Sequence, residues 1–220
     1  KKMALKHIIW DWNGTLVNDK WLCIDGINSS LKKRELPTIT EKRYMDIFTF
    51  PVEEYYKKVG FNFANEPFHV AGDEFVKYYG KYFHKVELHK LAFEIIKKIQ
   101  AEGFTQSILS AGKQDYLINW VKHHGLFNYF SAIRGISDHY ARGKLELGIK
   151  LVNELSYKRS EIIMIGDTIH DSEVAREMKI DCILIDHGHV SRKRLEKTGR
   201  KVISNLKEFW DFLRERKKYW

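Results

Sequence analysis

The sequence predicts an α/β fold, a doubly wound parallel (Rossmann-like) sheet core carrying an inserted all-helical cap. Three observations predict it. Short aliphatic runs recur along the chain, stretches with helical periodicity separate most of them, and one long interval after the first run holds helical pieces but no buried strand. A parallel sheet covered on both faces buries both sides of each strand, so its strands read as continuous apolar runs rather than as alternating ones.

The first strand is His7 to Trp10, an apolar run that stops abruptly at Asp11 and the turn former Gly14. Comparable strands are predicted at Thr105 to Leu109, Ala132 to Ile136, Glu161 to Ile165, Cys182 to Ile185 and Lys201 to Ile203. Between them, Leu91, Ile95, Ile96 and Ile99 form an apolar stripe ended by Gly103, and Leu117, Trp120 and Val121 form another ended by Gly125. Leu206, Phe209, Trp210 and Leu213 define a last helix that packs back on the sheet. The interval from Asn18 to Leu88 reads as four helical pieces. One is marked by Ile24, Ile27 and Leu31, one is opened by a capping box from Thr38 to Glu41, one runs from Pro51 to Gly60, and the aromatic-rich Phe75 to Phe83 forms the last. Its aromatics Tyr78, Tyr79, Tyr82 and Phe83 are expected to pack within the insert rather than to stack on a ligand. Residues 1–17 and 89–220 then form the α/β core and 18–88 the helical cap.

Composition excludes several classes. At 220 residues, 44% hydrophobic and 30% charged, the chain has the make-up of a folded globular protein with one sizeable core and a small accessory unit. Its two cysteines, Cys23 and Cys182, have no metal-ligand spacing and no disulfide framework, which fits a reducing cytoplasm. Lysines at the N-terminus precede too short an apolar run for a signal peptide, and no stretch approaches the ~18 apolar residues of a membrane span. The net charge of +9 and the basic clusters Lys32 to Arg34, Arg192 to Arg194 and Arg214 to Lys218 are read as solvated faces, since no nucleic-acid motif accompanies them.

Candidate chemistry concentrates where strands end, the place at which open α/β sheets bind ligands. Asp11-Trp12-Asn13-Gly14-Thr15-Leu16 follows the first strand, and its glycine lets backbone approach a phosphate closely. Thr15 is placed either against phosphate or as a cap of that turn. Ser110 ends the second core strand ahead of Ala111 and Gly112, so a hydroxyl and the following amides offer a grip on phosphate oxygens. Lys144 opens a helix and presents a point charge. Gly166-Asp167-Thr168-Ile169-His170-Asp171 places two carboxylates after another strand, and hard oxygen ligands of that kind suit Mg2+. His170 reads as a loop residue, and His187 and His189 as turn residues rather than catalysts.

The order of these pieces resembles the haloacid dehalogenase superfamily. Its four motifs are an Asp-x-Asp-x-Thr loop, a Ser or Thr after the second core strand, a Lys, and a Gly-Asp-x-x-x-Asp acidic pair, and they have counterparts at Asp11 to Thr15, Ser110, Lys144 and Gly166 to Asp171. The helical insert, with Glu53 to Phe61 and Asp186 to Leu195, looks like the subgroup containing phosphoglycolate phosphatases. The resemblance implies a phosphatase, monomer or homodimer, acting on a small phosphorylated metabolite, with no nucleic-acid or membrane partner. It makes Asp11 the nucleophile, Asp11, Asn13 (backbone carbonyl), Asp167 and Asp171 the Mg2+ site, with Asp171 acting largely through water or by orienting Lys144, Ser110 and Lys144 the charge stabilisers, and Gly14, Thr15, Ser110, Ala111 and Lys144 the substrate contacts. One departure stands out: Asn13 occupies the position of the carboxylate that serves as general acid and base, and an amide has no proton to give at neutral pH. Two alternatives follow, a carbon–phosphorus hydrolase resembling phosphonoacetaldehyde hydrolases, which use a cap lysine as a Schiff base, and a non-catalytic phosphate-binding protein that kept the fold.

Overall fold

The computed structural model describes residues 4–137 and 143–217. The N-terminal lysines Lys1 and Lys2, and Lys218 of the last basic cluster, lie outside the described residues. Six strands, β1 (His7–Trp10), β2 (Thr105–Lys113), β3 (Ala132–Ile136), β4 (Ile162–Gly166), β5 (Asp181–Ile185) and β6 (Lys201–Ile203), form one parallel sheet in the order β3-β2-β1-β4-β5-β6. This is the doubly wound arrangement predicted from the alternation, and the strand order reverses between β1 and β4. That reversal opens a crevice beyond the carboxyl ends of the two strands, where such sheets hold ligands.

Side chains along β1 alternate between two cores. Ile8 and Trp10 join a cluster with Ile163, Ile165, Ile183 and Ile185, covered by α5 (Ala92–Ala101), α6 (Gln114–His123) and α10 (Leu206–Lys217). Ile9 faces the opposite side with Met164, Cys182 and Leu184, under α7 (Lys144–Glu154) and α8 (Ile169–Glu177). Complete burial of both faces of β1 and β4 explains why these strands are unbroken apolar runs in the sequence. The short helix α9 (Arg192–Glu196) follows β5.

Four helices occupy the predicted insert: α1 (Lys20–Lys33), α2 (Glu41–Ile47), α3 (Val52–Val59) and α4 (Phe68–Tyr82). The two chain segments that lead in and out of it pair with each other, with the Asn18 amide donating to the Glu87 carbonyl and the His89 amide to the Leu16 carbonyl, both at 2.8 Å. Pro51 caps α3, and Gly60 ends it at φ 114°, a left-handed conformation that glycine adopts without strain.

Several local expectations are corrected. The cap of α2 is Thr40, whose hydroxyl accepts from the Arg43 amide, rather than a box starting at Thr38. The helix assigned to Phe75 to Phe83 begins at Phe68, one residue after Pro67, which supplies the fixed φ of a helix start. Strand β2 runs past Leu109 to Lys113 through an irregularity, so Ser110, Ala111 and Gly112 lie within its last stretch rather than after its end. His170 sits in the first turn of α8, not in a loop, with its ring 5.1 Å from that of Phe50.

Candidate active site

The crevice between β1 and β4 collects the predicted acidic residues. Asp11 continues β1, its amide bonded to the Ile165 carbonyl at 2.9 Å, and Asp167 leaves β4 beside it. Thr15 Oγ1 lies 3.1 Å from both Asp11 Oδ2 and Asp167 Oδ1. A hydroxyl has one proton to donate, so Thr15 serves one carboxylate at a time. Asp171 is the third residue of α8, and its Oδ2 accepts from the Asp167 amide, the Thr168 amide and the Thr168 hydroxyl, closing a reciprocal cap on the helix start. Its Oδ1 accepts from Lys144 Nζ at 2.7 Å, and the same ammonium donates to Asp11 Oδ1 at 2.7 Å. Thus Asp171 orients Lys144, and Lys144 orients the nucleophile candidate.

Charge is unbalanced here. Asp11, Asp167 and Asp171 bring carboxylate oxygens within 4.8 Å of one another, and all three are buried. Burial and the neighbouring Asp171 charge hold the Asp11 carboxyl well above the usual range against the opposing pull of Lys144. Burial and Asp171 also raise Asp167, to about 7. Asp171 goes the other way: burial pushes it up, but the Lys144 charge and the hydrogen bonds from Lys144 and Thr168 outweigh that and lower it. Three oxygen-donor carboxylates with one ammonium among them are a donor set that fits a hard divalent cation such as Mg2+. The packing is close enough that glycine is required at Gly14 and Gly188, since a Cβ at either would run into the Asp167 side chain.

The predicted contacts separate into two groups. Asp11, Asn13, Ala111, Lys144 and Asp171 line a cavity of about 180 Å³ beneath the insert. Gly14, Thr15, Ser110 and Asp167 are not among its lining residues. The Gly14 amide is already bonded to the Val17 carbonyl, and Ser110 Oγ accepts from the Gly112 amide at 2.9 Å and lies 3.5 Å from Asn13 Oδ1.

Asn13 belongs to a buried network that the sequence reading missed. Its Nδ2 donates to Asp19 Oδ2 at 2.8 Å and to the Tyr79 hydroxyl at 3.1 Å, and Tyr79 also donates to Asp19 at 2.8 Å. The other oxygen of Asp19 meets His189 Nε2 at 3.0 Å, while His189 Nδ1 meets the Tyr44 hydroxyl at 2.8 Å. Burial pushes Asp19 up, but His189 and the bonds from Asn13 and Tyr79 outweigh it and lower it. His189 is therefore more than a turn residue: its amide holds Asp167 Oδ2 at 2.7 Å, and its ring ties the core to the insert. His187 stacks on His89 with centroids 3.4 Å apart and bonds the Thr15 carbonyl. Tyr79 likewise faces the site, whereas Tyr78 and Tyr82 pack on each other as expected.

Residues 8–185 match the haloacid dehalogenase-like hydrolase family, and the chain belongs to it. The protein is thus a hydrolase by family. Among curated relatives it is 25% identical over 175 residues to pyrophosphatase PpaX of Halalkalibacterium halodurans, covering 77% of this chain and 78% of that one. Its fold is shared with a predicted phosphatase from Clostridium acetobutylicum, at a TM-score of 0.83 and 18% identity over 97% of this chain and all (100%) of the other. It is shared also with a predicted phosphoglycolate phosphatase from Haemophilus somnus, at a TM-score of 0.76 and 18% identity over 97% and 99% of the two chains. Among the described residues, no helix is long and apolar enough to cross a membrane.

Proposed function

We propose that the protein is a Mg2+-dependent phosphatase that removes the phosphoryl group of a small phosphorylated metabolite through an aspartyl-phosphate on Asp11. The observation that carries this reading is the placement of Asp11 at the strand-order reversal, facing the cavity, with Lys144 bonded to both Asp11 and Asp171. A carboxylate oxygen of Asp11 forms a bond to phosphorus while the bond to the departing oxygen breaks, and that oxygen leaves with the electron pair. Water then displaces Asp11, yielding inorganic phosphate and the free carboxylate. Lys144 holds the nucleophile in place and offsets charge on the transferring group. Asp11, Asp167, Asp171 and the Asn13 carbonyl would hold Mg2+, which when bound neutralises the excess carboxylate charge and the phosphoryl oxygens. The insert closes over the site and excludes water.

Asn13 supplies no proton to the leaving oxygen, so turnover depends on how good a leaving group the substrate carries. The carbon–phosphorus alternative requires a lysine of the insert facing the site. Among the described residues the lysines lining the cavity are Lys113 and Lys144, both from the core, and Lys144 is bonded to two carboxylates. The reading is tested by phosphate release from a panel of phosphorylated metabolites with and without Mg2+. Release that requires the cation supports it; no release from any member, acetyl phosphate included, leaves a binding protein that retained the fold.

A further inference from the structure

Asp19, Cys23 and His189 form a second set of metal-ligating side chains, apart from the three carboxylates around Asp11. Asp19 leads into α1 and Cys23 follows it by four residues, with the Cys23 amide bonded to the Asp19 carbonyl at 3.0 Å, so both side chains leave one face of the same helical turn. His189 meets them from the loop after β5. A carboxylate oxygen, the sulfur and an imidazole nitrogen lie within 4.8 Å of one another, and all three residues are buried. Bonds of about 2.0–2.3 Å set the ligand atoms of a tetrahedral zinc roughly 3.2–3.6 Å apart. The observed separations bracket that spacing, at 3.0 Å for Asp19 Oδ1 and His189 Nε2 and no more than 4.8 Å for the pairs with Cys23.

The outer atoms of these side chains are already held as a metal site requires. Asp19 turns Oδ1 toward His189 and keeps Oδ2 for Asn13 and Tyr79, both at 2.8 Å. His189 keeps Nδ1 for the Tyr44 hydroxyl at 2.8 Å, and the Tyr44 side chain also hydrogen-bonds Cys23. A metal-ligating histidine is ordinarily fixed by such a partner on its other nitrogen. Cys23 and His189 line the cavity, which gives an ion its entry path and leaves that side for a water as fourth ligand.

We propose that Asp19, Cys23 and His189 bind a transition-metal dication of the Zn2+ type, at a site separate from the Mg2+ carboxylates, and that the ion clamps the insert to the core. Thiolate and imidazole select Zn2+, whereas all-oxygen sets suit Mg2+. On binding, the Cys23 sulfur forms the metal bond and its proton goes to solvent. His189 binds through Nε2 with its proton on Nδ1 facing Tyr44, and the Asp19 carboxylate binds through Oδ1. Two anionic ligands cancel the charge of the dication, so no net charge is buried. Asp19 and Cys23 belong to the insert and His189 to the core, so the ion joins the two units.

The test uses Co2+ as the probe on the full chain saturated with Mg2+. A thiolate ligand gives a sulfur-to-cobalt charge-transfer band that carboxylate-bound Co2+ does not give. The band should saturate at one equivalent of Co2+ and be bleached by Zn2+. Cys23→Ser should remove it, while Cys182→Ser, in the opposite core, should keep it. Tyr44→Phe should weaken Zn2+ binding about 10–100-fold. Zn2+ should raise the melting temperature of the parent and not of Cys23→Ser, with Cys23→Ala as the second variant if circular dichroism shows that the serine form does not fold. Absence of the band in the parent, its survival in Cys23→Ser, or an equal Zn2+ shift of melting temperature in both proteins overturns the site. Hydrogen exchange of the connecting segments 16–19 and 86–89 should slow when Zn2+ binds, and unchanged exchange overturns the clamp. All of these readouts report binding, so they stand or fall apart from phosphate release.

Discussion

Replacing Asn13 by aspartate restores the missing carboxyl, and the surroundings of Asn13 determine how it behaves. Asn13 Nδ2 lies 2.8 Å from Asp19 Oδ2, so Asn13→Asp sets two carboxyl groups at hydrogen-bond distance. Two carboxylates so close cannot both ionise and share one proton. Asp19 is the member held low, by His189 and by the Tyr79 hydroxyl, so the proton resides on residue 13. A protonated carboxyl at the cavity wall is what a departing alkoxide needs. Turnover of alkyl phosphates should therefore rise roughly 10²–10⁴-fold, equivalent to about 3–5 kcal/mol of barrier, with a smaller gain on aryl phosphates. The gain should shrink as pH rises through the elevated pKa of the pair, because the acid form is lost. In the double variant Asn13→Asp with Asp19→Asn the amide and carboxyl exchange places, the pKa at residue 13 returns toward the ordinary range, and the gain at neutral pH should diminish. Single-turnover and steady-state rates on one alkyl and one aryl phosphate across pH measure all of this. Unchanged alkyl rates in Asn13→Asp would refute the reasoning, since some other group would then be supplying the proton.

Three further outcomes are expected. Asp11→Asn should abolish phosphate release, and since it removes one of three crowded carboxylates it should leave the melting temperature unchanged or raised; release at about a tenth of the parent rate or more would remove Asp11 from the chemistry. His7 is fully buried between the Thr105 and Ser107 hydroxyls, and burial lowers its pKa from 6.5 to about 4. The unfolded chain takes up the proton first, so stability is complete above pH 6.5 and declines as pH falls toward 4, by about 3 kcal/mol from this residue. Urea unfolding at pH 7 and pH 5 should show a smaller difference in His7→Gln than in the parent. Exchanging residues 18–88 for the insert of another family member should change substrate preference without removing dependence on Asp11; retention of the parent preference would place specificity in the core.

The strands and the strand-end positions of the candidate residues are legible because both follow from local patterns. Full burial makes β1 and β4 unbroken apolar runs, and the strand-end position of Asp11 and Asp167 follows from where those runs stop. The role of Asp171 was partly legible: Thr168-Ile-His-Asp171 has the spacing of a capping box, which explains a carboxylate that grips three donors and steers Lys144. The network through Asp19, Tyr44, Tyr79 and His189 was not legible. Its members come from α1's leading residue, two helices of the insert and the loop after β5, and nothing in their spacing reveals that folding brings them together. The aromatic insert was read as self-packing because helical periodicity cannot distinguish a side chain facing a neighbouring helix from one facing a cavity. Tyr79 does the latter.

The most direct test of the central claim is detection of the phosphoryl group on Asp11. Without a base at residue 13 to activate water, the second step is slow and the aspartyl-phosphate should accumulate during turnover. Protein mixed with Mg2+ and an aryl phosphate, quenched in acid and digested, should show one phosphoryl mass increment on the peptide containing Asp11, and Asn13→Asp should show less of it. Phosphate release at the full rate with no label on Asp11, or with the label on another residue, would contradict the account.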